Sequence, residues 1–118
     1  MVLDHIAIIV SREEHLEFYE KLGFREKKRI ERSYDTVVFM ECDGVVLEIF
    51  IDPNHPERVS EPEARGLRHV ALRVDDFEKT CEQFDTEDVR TYFFGTRFTF
   101  TKDPDGQPIE IKEVAYND

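Results

Sequence analysis

The amino-acid sequence predicts an α+β protein built from two tandem βαβββ modules with mixed sheets. Two internal repeats and the break between them carry that prediction. The opening stretch LDHIAIIV, Leu3–Val10, recurs as LRHVALRV, Leu67–Val74. The stretch DGVVLEI, Asp43–Ile49, recurs as DGQPIEI, Asp105–Ile111, in the same order relative to the first pair. Such self-similarity marks a duplicated structural unit. Between the halves lies Asp52–Gly66, which holds Pro53, Pro56 and Pro62, three of the five prolines, and reads as a linker. The 118 residues therefore divide into module one (1–51), a linker (52–66) and module two (67–118), together one domain.

Module one begins with a strand, Leu3–Val10. Ser11 with Glu14 three residues later is a capping-box signal, and Glu13 adds acid to the first turn. Leu16, Tyr19 and Leu22 follow at helical spacing, and Gly23 is a stop. Three β-like stretches come next, Phe24–Ile30, Thr36–Glu41 and Val45–Ile51, with Asp43-Gly44 as the hairpin turn between the last two.

Module two repeats the order. Strand Leu67–Val74 runs into Asp75-Asp76, a helix cap, and Phe77, Cys81 and Phe84 share one helical face. Strands are expected near Val89–Phe94, Arg97–Thr101 and Pro108–Val114, with Asp103-Pro104-Asp105-Gly106 as the turn before the last.

The chain is 40% hydrophobic and 36% charged, with a net charge of −11. That balance argues against nucleic acid as a partner, because neutralising phosphates needs clustered Lys and Arg. The basic run Arg25–Arg29 includes Glu26, is followed by Glu31, and reads as a solvated strand face. The longest purely apolar run, Ile6–Val10, is far too short to cross a membrane. Asp4 and His5 interrupt the start, so no secretion signal is expected. Cys42 and Cys81 lack paired spacing and read as reduced, buried thiols of a cytoplasmic protein.

Alternation along strands singles out four side chains. His5, Ala7 and Ile9 share one face, opposite Ile6, Ile8 and Val10; His69, Ala71 and Arg73 do the same opposite Val70, Leu72 and Val74. Glu48 interrupts Leu47 and Ile49 on the fourth strand, as Glu110 interrupts Ile109 and Ile111. Each module thus offers one His and one Glu on the face turned away from the core. If first and fourth strands are neighbours, about 5 Å apart, both side chains can reach one ion. Two imidazoles and two carboxylates suit a divalent transition metal, and an octahedral ion would keep two positions open for water or substrate oxygens. Taken singly, a strand His or Glu is more often an ordinary polar residue; the duplication of both is what favours the metal. His15 and His55 have no counterparts and read as surface residues. Of Phe39, Phe50, Phe93, Phe94, Phe98 and Phe100, some are expected to line the small-molecule site and at least half to fill the core, with adjacent Phe93 and Phe94 on opposite faces.

The strings DHIAIIV, EFYEKLGF, DGVVLEIF, GLRHVALRVDD and FTKDPDGQPIEI resemble the vicinal oxygen chelate superfamily, to which glyoxalase I belongs, over nearly the whole chain. The stretch HPERVSEPEARGLRHVALRVDD further resembles a small bacterial glyoxalase-like branch often labelled lactoylglutathione lyase. The resemblance implies paired βαβββ modules forming a metal-binding cup. It places the ligands at His5, Glu48, His69 and Glu110. Bacterial glyoxalase I carries an Arg four residues after its first His and an Asn four after its first-module Glu. Here those positions hold Ile9 and Asp52, which leaves glutathione open. Arg73, four after the second His, faces the cup as a binder of carboxylate or phosphate or as a salt-bridge partner within it. Phe50 is expected beside the substrate.

The function so implied is that of a metal-dependent lyase or isomerase. The substrate would chelate the ion through vicinal oxygens and react through an enediolate, with Glu110 or Glu48 as general base. Extradiol-type dioxygenases, fosfomycin-type thiol transferases and non-catalytic sequestering proteins are the alternatives. One divalent ion per site is expected, Zn, Ni, Co, Mn or Fe(II). The linker spans at most about 50 Å, so each module can pair with its sister or with a module of a second chain. A homodimer is expected, with a small molecule as substrate and neither nucleic acid nor membrane as partner.

Overall fold

A computed structural model describes residues 1–93 and 95–114 of the chain. The chain divides into two compact units, Met1–Glu57 and Arg58–Asp118. Elements of both classes are present, strands predominating, as an α+β protein requires.

Unit one contains β1 (Ile6–Val10), a 3₁₀ turn (Glu13–His15), α1 (Leu16–Lys21), β2 (Arg25–Glu31), β3 (Thr36–Cys42) and β4 (Val45–Ile51). Its sheet has the order β1-β4-β3-β2, with β1 parallel to β4 and the other pairs antiparallel. Asp43 (φ 47°) and Gly44 (φ 82°) both take the left-handed conformation, so the expected two-residue hairpin forms. Ile8, Val10, Val38, Met40, Leu47 and Ile49 are buried along alternate strand positions, and Leu16, Tyr19 and Phe24 are buried in the same unit. Gly23 closes α1 at φ 108°, where an added Cβ would stand 3.3 Å from Cys42 Sγ. The Arg25–Arg29 stretch is solvated, apart from a half-buried Arg29 bonded to Glu13 and Glu26.

Two expectations about this unit fail. The capping-box signal at Ser11 and Glu14 leads into a 3₁₀ turn, and the α-helix begins only at Leu16. The first turn is 3₁₀, its N-cap is an extended Arg12 without a side-chain cap bond, and α1 ends before Leu22. The apolar period Leu16–Tyr19–Leu22 is too short to anchor more than that. The first strand starts at Ile6 rather than Leu3, because its ladder with β4 opens at Leu47, just past the hairpin turn. His5 therefore lies one residue before β1.

Unit two contains β5 (Val70–Val74), α2 (Phe77–Gln83), β6 (Arg90–Thr91), β7 (Arg97–Lys102) and β8 (Pro108–Glu113), in the sheet order β5-β8-β7-β6. Asp76 caps α2, its side chain accepting from Lys79 N–H at 3.1 Å. Asp103 is buried in the turn before β8 and accepts from the N–H groups of Asp105 and Gln107, each at 2.9 Å. Strand β5 starts at Val70, with His69 just outside it, because Pro108 at the head of β8 has no N–H to extend the ladder.

The strand expected over Val89–Phe94 shrinks to Arg90–Thr91; Phe94 itself lies outside the described residues, as do positions 115–118. The segment before β6 is held to β7 by other bonds. Thr99 Oγ1 donates to Glu87 O and Thr101 Oγ1 to Asp85 O, each at 2.8 Å, and Glu87 N–H donates to Phe100 O at 2.9 Å. Buried threonines thus replace part of a strand ladder. Within the stretch from 52 to 66 the described structure is one isolated bridge, Ser60–Glu63, plus turns. Among the described residues no helix is long and apolar enough to cross a membrane.

Candidate functional site

Parallel pairing of first and fourth strands sets the site geometry. Ala7 lies opposite Glu48 and Ala71 opposite Glu110. His5 and His69, two residues earlier, project diagonally across the same faces. His5 Nε2 stands 4.0 Å from Glu48 Oε1, and His69 Nε2 stands 3.6 Å from Glu110 Oε1. The carboxylates are 19% and 13% exposed, and among the described residues neither accepts a hydrogen bond. A half-desolvated carboxylate without donors favours a cation beside it.

The spacing fits a shared ion. Ligand atoms about 2.1 Å from a metal stand about 3.0 Å apart at a right angle and about 3.4 Å apart at the tetrahedral angle. The observed separations exceed these by a few tenths of an ångström to one ångström, within a small side-chain adjustment. Among the described residues no three His, Cys, Asp or Glu side chains gather as a ready cage; each unit by itself holds one His–Glu pair.

The neighbours of the two histidines differ. Asp4 Oδ2 lies 2.7 Å from His5 Nδ1. A carboxylate only accepts, so Nδ1 carries the proton and Nε2 is left to present a lone pair towards Glu48. The same bond is the main reason the His5 pKa is raised, with the Glu48 and Asp4 charges adding and desolvation opposing. At His69 the arrangement reverses. Arg68 Nη1 lies 3.1 Å from Nδ1, and a guanidinium only donates, so in the neutral ring the proton sits on Nε2. Arg68 is itself tied to Glu63 at 2.9 Å, and Phe100 meets the His69 ring edge-on at 5.0 Å.

The other expected residues fall as follows. Arg73 is exposed on β5, directly opposite Lys112. Phe50 is half-buried on β4, with the Arg32 guanidinium 5.5 Å from its ring centre. Arg32 is held by Asp35 through two bonds of 2.6 Å, a contact foreshadowed only by their i, i+3 spacing. Phe39 and Phe100 stand opposite Glu48 and Glu110, and Phe98 opposite Lys112. The expectation that half of the six phenylalanines fill the core is wrong. Phe39, Phe50, Phe98 and Phe100 are half-buried and Phe93 is exposed; among the described residues the buried phenylalanines are Phe24 and Phe77. Alternation explains this, since the core faces of β3, β4, β7 and β8 are already taken by aliphatic and threonine side chains. His55 is exposed, 3.5 Å from Asp52, whereas His15 is half-buried rather than solvated.

Residues 2–111 match the family model described as Glyoxalase/Bleomycin resistance protein/Dioxygenase superfamily. The chain belongs to this superfamily. It is 40% identical over 122 residues to the uncharacterized protein YwkD of Bacillus subtilis, covering 94% of this chain and 95% of that one. A glyoxalase family protein from Enterococcus faecalis has a similar structure, with a TM-score of 0.86 and 35% identity over 95% of this chain and 97% of that one. A lactoylglutathione lyase from Agrobacterium tumefaciens shares the superfamily fold, with a TM-score of 0.65 and 17% identity over 95% and 92% of the two chains.

Proposed function

We propose that the protein is a metal-dependent lyase or isomerase of the glyoxalase type, a cytoplasmic homodimer acting on a small molecule with two neighbouring oxygens. The observation that supports this reading is the duplicated His–Glu pair, with Nε2–Oε1 separations of 4.0 Å and 3.6 Å at matching places in the two units. His5, Glu48, His69 and Glu110 would hold one divalent ion, Zn, Ni, Co, Mn or Fe(II). When bound, the ion polarises the substrate oxygens and stabilises the negative charge left when a proton leaves carbon.

The chain's own groups supply the rest. Glu110 or Glu48 takes the proton: each is a carboxylate on a strand, with a half-buried phenylalanine opposite it on the neighbouring strand. Asp4 orients His5 by holding its Nδ1–H. Arg73 and Phe50 bind the parts of the substrate that do not react.

Metal analysis of the purified protein should find about one divalent ion per chain after loading. Glu110→Gln and Glu48→Gln should each weaken metal binding, and the variant lacking the base should lose turnover of hemithioacetals by about 10²–10⁴-fold. A protein that takes up no ion when supplemented, or whose stripped and loaded forms behave identically, would overturn the reading.

A further inference from the structure

The two units share their strand order and their His–Glu pair, yet one line of side chains sets them apart. In unit two a row of opposed residues crosses all four strands: Arg73 on β5, Lys112 on β8, Phe98 on β7 and Arg90 on β6. The equivalent row of unit one is Ile9, Phe50, Val37 and Ile30. Three positions that are apolar in one copy are cationic in the other. Alternation puts the cationic row on the same face as Ala71, Glu110 and Phe100, which form the next row, about 7 Å away along the strands.

These cations are arranged to receive a ligand. Arg90 lies 5.1 Å from the Phe98 ring centre and 5.7 Å from that of Phe100, while Lys112 Nζ lies 5.8 Å from Tyr92. Stacking on rings restrains the charged groups of Arg90 and Lys112 without using their N–H donors in a salt bridge. Among the described residues neither Arg90 nor Lys112 makes an ion pair. Other arginines over rings are already occupied by carboxylates, Arg97 by Glu113 and Glu78, Arg32 by Asp35 and Arg68 by Glu63. In a chain of net charge −11, Arg90 and Lys112 on one row form a local anion site against the general field.

We propose that the Arg73–Lys112–Phe98–Arg90 row binds the anionic end, carboxylate or phosphate, of the substrate that reacts beside Glu110. The substrate class is therefore a small acid whose charged group lies a few bonds from its reacting oxygens. This inference rests on the placement of the reacting site at Glu110, under Proposed function, but its test does not require a metal.

The metal-free protein is titrated with phenyl phosphate, phenylacetate and neutral benzyl alcohol, followed by amide NMR shifts. Both anions should bind at β5–β8, benzyl alcohol should not, and the tighter anion identifies the headgroup. Arg90→Gln and Lys112→Gln should each weaken binding about tenfold. Glu110→Gln, which removes a like charge from the face, should keep or strengthen it. A double variant that binds within twofold of the unaltered protein, or shifts lying outside β5–β8, would overturn the proposal. Should Lys112→Gln not fold, exposed Arg90 decides alone. Anion binding without metal uptake would sink only the metal reading; metal uptake with anion binding indifferent to both variants would sink only this one.

Discussion

Replacing Asp4 with alanine tests the orientation of His5. The 2.7 Å bond from Nδ1 to Asp4 holds the tautomer whose Nε2 lone pair is open towards Glu48. Loss of such an outer carboxylate typically weakens metal affinity about 10–100-fold. Asp4 is 93% exposed, so water can replace it in part, and the lower end, about tenfold, is expected. A second effect opposes this one. Asp4 raises the His5 pKa, so its removal lessens competition from protons at acidic pH. Working near pH 8 lessens that competition in both proteins. Competition against a chromophoric chelator gives the affinities, and imidazole ¹⁵N shifts give the tautomer without any metal. Affinities within twofold, or a proton found on Nε2 of His5 in the unaltered neutral protein, would refute the reasoning. Arg68→Ala should act in the opposite direction, because it frees His69 from a donor that fixes the wrong nitrogen for Nε2 ligation.

Stability and reactivity should follow the packing. Ile49→Ala, at a fully buried centre of β4, should cost about 2–5 kcal/mol in urea denaturation. Thr99→Val removes the donor to Glu87 O and should cost about 1–3 kcal/mol; an unchanged midpoint would mean that carbonyl is satisfied otherwise. The Arg97 guanidinium beside Glu113 lowers its pKa below the ordinary 4.5. Its folded value being the lower one, the pair stabilises the protein above about pH 4.5 and ceases to as pH falls through the folded value. The stability gap between the unaltered protein and Glu113→Gln should therefore be present at pH 7 and narrow as the pH is taken below 4.5. Burial raises the Cys42 and Cys81 thiol pKa values, so both should react slowly with iodoacetamide at pH 7 and quickly in denaturant.

The strand faces were legible because a period of two carries through repeats. Ile8 and Val10 are buried while Ala7 and Ile9 are exposed, and Glu48 and Glu110 fall on the outer faces that alternation assigns them. The Asp43-Gly44 hairpin and the Asp76 cap were legible because their residue chemistry is local. What escaped the sequence depends on distant partners. The shortened β6 follows from Thr99 and Thr101 bonding across to residues 85 and 87. The contrast between Asp4 and Arg68 depends on both side chains reaching Nδ1 of the ring that follows, which adjacency in the chain does not specify. The cationic row of unit two appears only once the register of four strands is known.

Pairing the earliest strand of each unit with its last has a kinetic consequence. Helices and hairpins can close as soon as they are made, but the β1–β4 and β5–β8 ladders must wait until nearly the whole unit has emerged from the ribosome. High sequence separation slows such closure, because loop entropy is lost before any contact rewards it. Each His can therefore meet its Glu only once the last strand of its unit is made, and a nascent chain stalled short of β4 or β8 would expose an unpaired, largely aliphatic edge to aggregation.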